Sequence, residues 1–219
     1  MKLLFFILII IFAKNSRDML YFSNDSTIIK KDKLDNFTSK KILNPMISTI
    51  ETDFNLDNYM SNNPLKYYTT NDMLIRLSDF YMFNDIYIHE SDNLFNDSMI
   101  DTHIIDSHFF NNFSYNITHK MSIYQDNIYT NIIKNKNNIK IILLIHGSIN
   151  INLYNPIHET KINNSNKNKY NQKIKLDKLK ENFIFIPTNW LYDISSSELS
   201  AFITISSDTV FTYHYNLLR

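Results

Sequence analysis

Seven histidines and 22 Asp and Glu side chains are this chain's stock of acid–base and metal-ligating groups, and cysteine is absent. Without thiols there are no disulfides, thiolate nucleophiles, iron–sulfur clusters or cysteine-ligated zinc sites. The histidines are His89, His103, His108, His119, His146, His158 and His214. Asp101-Thr-His103 and Asp106-Ser-His108 each set an acid and an imidazole two residues apart. On a strand that spacing puts both groups on one face, where they can serve a metal site or, more simply, a surface or cross-strand pair. A serine nucleophile lacks its usual turn: the single glycine lies in His146-Gly147-Ser148, and no Gly-x-Ser-x-Gly occurs. The run Ser195-Ser196-Ser197-Glu198 reads as a turn between two strands.

A typical chain of this length carries roughly fifteen glycines, at about 7% usage. One glycine excludes P-loops, dinucleotide-binding turns and glycine-rich kinase loops, which need bare backbone against phosphate. Asn (31) and Ile (34) take the place of small residues, a bias that reads as an AT-rich coding genome. The Asn-rich stretches 131–138 and 163–171 are therefore taken as lengthened, solvated loops. Lys plus Arg equals Asp plus Glu, so no net field draws a nucleic-acid backbone.

These groups must be positioned by elements of two textures. Leu56 to Met60 and Met73 to Phe83 have roughly helical apolar spacing, with Thr70-Asn71-Asp72 as an N-cap cluster for the second. After residue 100 the chain turns to short β-branched and aromatic runs: His108 to Tyr115, Ile123 to Ile133, Ile139 to Ile145, Ile149 to Tyr154, Phe183 to Ile186 and Ala201 to Tyr215. Six or more strands at about ten-residue spacing, with no interleaved helices, predict a mainly β domain, a sandwich or barrel with short N-terminal helices. At 44% hydrophobic residues the chain can fill such a core. Ahead of it, Met1-Lys2 and the eleven apolar residues Leu3 to Ala13 match the h-region of a signal peptide and fall short of the ~20 needed to span a bilayer. The expected division is a leader at 1–16, a polar linker at 17–45 and one domain at 46–219. The leader implies the secretory pathway, with membrane contact only if it is uncleaved. Six Asn-x-Ser/Thr sequons, at Asn24, Asn36, Asn96, Asn112, Asn116 and Asn163, are compatible with that route and expected by chance in so Asn-rich a chain.

Three segments in order carry a more specific signal: Asn116 to Ile132, then Ile139-Lys140 to Ile145 leading to Leu153-Tyr-Asn-Pro156, then Glu181 to Ile194, which contains Phe183-Ile-Phe-Ile-Pro187-Thr-Asn-Trp190-Leu-Tyr192. Together they resemble the JmjC and cupin-like 2-oxoglutarate oxygenases, closest to the asparaginyl-hydroxylase type. That family reads Thr-x-x-His-x-Asp-x-x-x-Asn, a basic strand ending in Leu-Tyr-x-Pro, and Phe-Ile-Pro-x-x-Trp-x-His. The resemblance covers about residues 105–215 and implies a double-stranded β-helix, a cupin or jelly-roll barrel with its core at about 105–218.

Carried over residue by residue, the resemblance places the three iron ligands on Met121, Ile123 and Tyr192. A thioether, an alkyl group and a protonated phenol cannot form a two-histidine, one-carboxylate iron site. A shifted register would offer His119 with Asp126 and, late in the chain, His214 or Asp193. The co-substrate side matches better: Thr118 and Asn127 fall on positions that touch 2-oxoglutarate in the family. Lys140, or else Lys136, falls on the lysine that pairs with its distal carboxylate. A lysine inside a barrel is costly unless an anion neutralises it, so an inward Lys140 requires a carboxylate beside it; the alternative is that Lys140 begins an outward-facing edge. Pro187 stops its strand and Trp190 closes the barrel end. The reading is a non-catalytic or divergent JmjC/cupin-like module that binds or scaffolds a protein or peptide, with no cofactor required. The alternative is an active Fe(II)/2-oxoglutarate dioxygenase, a protein hydroxylase or demethylase, with a non-standard ligand set. A third reading makes the resemblance fortuitous, in which case no barrel forms after residue 104.

Overall fold

The structure, a computed structural model, describes residues 27–30, 44–70, 73–83, 85–110, 114–162, 166–209 and 212–213. The expected leader, most of the expected linker, Asn71, Asp72 and His214 lie outside the described residues.

Eight strands run from Tyr115 to Asp208: β6 (Tyr115–Tyr124), β7 (Ile133–Lys134), β8 (Ile139–His146), β9 (Ser148–Tyr154), β10 (Asn171–Asp177), β11 (Phe183–Pro187), β12 (Leu191–Ser196) and β13 (Ser200–Asp208). Five more precede them: β1 (Ile29–Lys30), β2 (Met46–Ser48), β3 (Tyr67–Thr69), β4 (Leu74–Arg76) and β5 (Tyr87–Ser91). One sheet has the order β1-β2-β11-β8-β13-β6-β5 and the facing sheet β10-β9-β12-β7, while β3 and β4 form a separate hairpin. Counting β6 as the first barrel strand, the sheets hold strands six-three-eight-one and five-four-seven-two. That alternation between sheets is the double Greek key of a jelly roll, or double-stranded β-helix. The mainly β barrel expected from strand spacing is thus the fold, reached through the strand order itself.

Alternation along each strand divides the apolar residues into two cores. Ile142 and Leu144 of β8, Ile184 and Ile186 of β11, Ile149, Ile151 and Leu153 of β9, and Trp190, Tyr192 and Phe202 fill the space between the sheets. Their neighbours Ile141, Leu143, Phe183, Phe185, Met121, Ile123 and Ile203 point the other way, into a second core. That core is completed by α1 (Leu56–Asn62), α2 (Asp92–Ser98) and α3 (His103–Phe109), through Leu56, Leu94, Ile105 and Phe109. The near-continuous hydrophobic reading of β8 follows, since both of its faces are covered.

Local signals explain where elements begin. Asn55 accepts from the Asn58 amide at the start of α1, and Ser91 from the Leu94 amide at the start of α2. Gly147, with φ +72°, makes the one-residue break between β8 and β9. Four expected elements differ: the strand expected over Ala201 to Tyr215 ends at Asp208, with Thr212 and Tyr213 helical, and three more depart from expectation. His108 to Tyr115 is not one strand: α3 runs to Phe109 because Ile105 and Phe109, four apart, both bury on the sheet. The Ile123 to Ile133 strand stops at Tyr124, and Asn127 takes a left-handed turn at φ +59°. Met73 to Phe83 is strand β4 followed by a 3-10 turn, Leu77–Met82, with Leu77 and Phe80 buried. β10 was hidden by its Lys/Asn content, because only Ile174 and Leu176 face inward and its other side is solvated.

Candidate functional site

β5 is an edge strand with a bulge. Ile88 stands opposite Ile123 and Ser91 opposite Met121, so His89 and Glu90 together face the single residue Ser122. A bulge of this kind turns two consecutive side chains toward one side. Glu90 adopts φ +46° to do so, and its amide donates to Ser122 Oγ at 2.9 Å. Its carboxylate then reaches Lys140 of β8, with Nζ 3.0 Å from Oε1. Lys140 is buried, its residue only 7% exposed. Its ammonium also lies against Tyr192, 5.6 Å from the ring centroid, and interacts with the hydroxyl. Next to this group, the His89 Nδ1 and Tyr124 hydroxyl are 2.6 Å apart.

The electrostatics follow from burial opposed by pairing. Burial pushes the Lys140 ammonium down, but Tyr192 and Glu90 outweigh it and raise its pKa. Burial pushes the Glu90 carboxyl up, and the Lys140 charge and hydrogen bond bring it below the ordinary carboxylate value. Burial holds the His89 imidazole down; Glu90 pulls it up, and Lys140 and Lys120 push it down again. Tyr192 is raised by burial against the pull of Lys140. At neutral pH the cluster is an ion pair between two neutral aromatic hydroxyls, beside a neutral imidazole.

Lys140 therefore points inward and has the carboxylate its burial requires, supplied by Glu90 of the chain itself. The other expected site residues do not gather around it. Met121 and Ile123 are fully buried on the opposite face of β6, against the helices. Tyr192 lies between the sheets, so the three positions assigned to iron ligands are on two sides of one sheet. His119 shares the helical side: its Nε2 is 2.9 Å from Asp106 Oδ1 and its ring stacks on Phe95 at 5.2 Å. Asp126 and Asn127 are exposed in the turn after β6, hydrogen-bonded to each other at 3.1 Å. Thr118 is half-buried near the opposite end of that strand, across from Ser206, so it and Asn127 do not form one co-substrate contact. Lys136 is exposed in the β7–β8 loop. Asp193 is buried on the outer face of the smaller sheet, where it accepts from Tyr154 Oη and Asn152 Nδ2, each at 2.6 Å. The Asp101/His103 and Asp106/His108 pairs stand at and on α3, where i, i+2 residues diverge; His103 and His108 are exposed. Among the described residues no group of three or more His, Asp or Glu side chains could hold a metal ion. Among the described residues, the positions assigned to the iron ligands and their substitutes do not converge on a facial triad.

Three contributors were not singled out as site residues by sequence reasoning. Glu90 and His89 lie about fifty residues before Lys140; the alternating Tyr87-Ile-His-Glu-Ser91 was the signal for a strand there. Asn135, inside a stretch read as solvated loop, is only 1% exposed. Its Nδ2 donates to the carbonyls of Ile186 and Pro187 at 2.8 and 3.0 Å, and its amide donates to the Trp190 carbonyl at 2.8 Å. It thereby fixes the turn in which Pro187 ends β11 and Trp190, 1% exposed, seals the barrel.

No protein-family profile matches the chain, and no curated protein does. Among solved structures it is similar to the crystal structure of a cupin superfamily protein from Desulfitobacterium hafniense, at 13% identity, over 42% of this chain and 67% of that one, with a TM-score of 0.32.

Proposed function

We propose that the chain is a non-catalytic JmjC/cupin-like module that acts by binding, with a protein or peptide as partner and the secretory pathway as its setting. The observation that carries this reading is the Lys140–Glu90 pair. An oxygenase of the resembled type uses an inward lysine to hold the distal carboxylate of 2-oxoglutarate; here a side chain occupies that role. Met121, Ile123 and Tyr192 support the same reading, since none is an iron ligand at neutral pH.

The test is anaerobic titration with Fe(II) or Mn(II) in the presence of 2-oxoglutarate, followed by exposure to oxygen and measurement of succinate. The expected result is no stoichiometric metal uptake and no succinate above the protein-free rate. Metal binding at one equivalent together with turnover would sink the proposal in favour of an active dioxygenase.

A further inference from the structure

A cavity of about 340 Å³ opens where the β3–β4 hairpin meets the β5 bulge, near the lower end of the ~300–1,000 Å³ typical of small-molecule sites. Tyr67 and Tyr87 supply aromatic wall, and Thr69, His89, Glu90 and Asn93 supply polar groups. The hairpin wall is fixed from behind: the Tyr68 hydroxyl donates to Asp97 Oδ2 at 2.6 Å and lies 2.7 Å from the Tyr59 hydroxyl, and Lys66 pairs with Asp97 at 3.0 Å. The floor is held in an uncommon backbone. Glu90 sits at φ +46°, a conformation costing a non-glycine residue about 1–3 kcal/mol that persists where the surroundings over-determine it.

Charge and hydrogen-bonding capacity decide what such a cavity can take. A cation would come close to Lys140 and Lys120, the two ammonium groups near Glu90. An anion would compete with Glu90 for Lys140. With Lys140 answered by Glu90, the groups that face the cavity are hydrogen-bonding ones: the second oxygen of Glu90 as acceptor, and the exposed Asn93 amide and Thr69 hydroxyl. Hydroxyl-accepting groups beside tyrosine rings match a pyranose, whose C–H faces pack on aromatic rings while its hydroxyls bridge carboxylate and amide. We infer that this cavity binds a neutral monosaccharide unit, free or at the end of a glycan. The inference deepens the binding-module reading and rests on it only in that the sugar is held and not turned over.

The full-length protein should be titrated with D-glucose, D-galactose, D-mannose and N-acetyl-D-glucosamine, followed by calorimetry and by NMR contacts from sugar protons to tyrosine rings. Choline chloride and 2-oxoglutarate form the cationic and anionic arms. The expected result is saturable binding of at least one sugar, with contacts to Tyr67, weakened about tenfold or more in both Asn93→Ala and Tyr67→Ala at an unchanged unfolding midpoint. Should either variant unfold, the contacts to Tyr67 in the unmodified protein decide the matter. Absence of saturation by all four sugars, binding without contacts to Tyr67, or tighter binding of choline in the same cavity would overturn the inference while leaving the non-catalytic reading intact. Succinate formation would remove that reading and leave the sugar site standing.

Discussion

Replacing Glu90 by Gln keeps the shape of the side chain and removes the charge that answers Lys140. The pair is 3.0 Å apart, with the lysine side chain 9% exposed and the glutamate 26% exposed. At an effective dielectric of ~20 the Coulomb attraction at that distance is about 5.5 kcal/mol. Both groups have lost hydration to reach it, so the net worth of the pair is smaller. Removing one partner of a buried pair costs about 3–5 kcal/mol, and water around the glutamate argues for the lower end, about 3 kcal/mol. With a urea slope of about 2–3 kcal/mol/M, the unfolding midpoint of E90Q should fall by about 1–1.5 M. Lys140→Met should cost less, because it leaves Glu90 free to rehydrate, and E90Q/K140M should be close to K140M alone. The pH dependence follows from the shifts. Glu90 is held below its ordinary 4.5, so its contribution is present above that value and is lost as pH falls through the folded-state pKa. Lys140 is held above 10.5, so its contribution is present below that value and is lost as pH rises through the folded-state pKa. The gap between wild type and E90Q should therefore be widest between about pH 5 and 10. An E90Q midpoint within about 0.2 M of wild type, or strictly additive single and double variants, would refute the reasoning.

In E90Q the ammonium of Lys140 is left without its carboxylate, so succinate or 2-oxoglutarate should raise the melting temperature of E90Q and not of wild type; an equal rise in both would show that Glu90 is not what excludes a dicarboxylate. Gly147→Ala should be among the most damaging single changes. Its Cβ would clash with the Leu199 carbonyl oxygen and lie 2.8 Å from Ser200 Oγ at φ +72°, for a loss of about 3 kcal/mol or more by denaturant unfolding. Asn135→Ala removes a donor from the buried Ile186 carbonyl and one of two from the Pro187 carbonyl, which keeps the Trp190 amide at 3.3 Å, and should cost about 1–3 kcal/mol, with a red shift in the emission of Trp190, the sole tryptophan.

The strand texture after residue 100, the missing cysteine and the single glycine already led to a mainly β barrel without thiol or phosphate-loop chemistry, because those conclusions depend on composition and on the period of two. The direction of Lys140 stayed open in the sequence, but its need for a carboxylate if it pointed inward was legible, since burying an ammonium is costly whatever surrounds it. Which carboxylate answers it was not. Glu90 arrives through a bulge on an edge strand about fifty residues away, and pairing at that separation leaves no local pattern. The same holds for the face of each strand. Met121, Ile123 and Tyr192 could be matched to the family's ligand positions and rejected as ligands from the sequence, yet only the second sheet and the helical layer decide that the first two look outward and the third looks in. Strand alternation defines two faces; which of them becomes the barrel interior is settled by what packs on each.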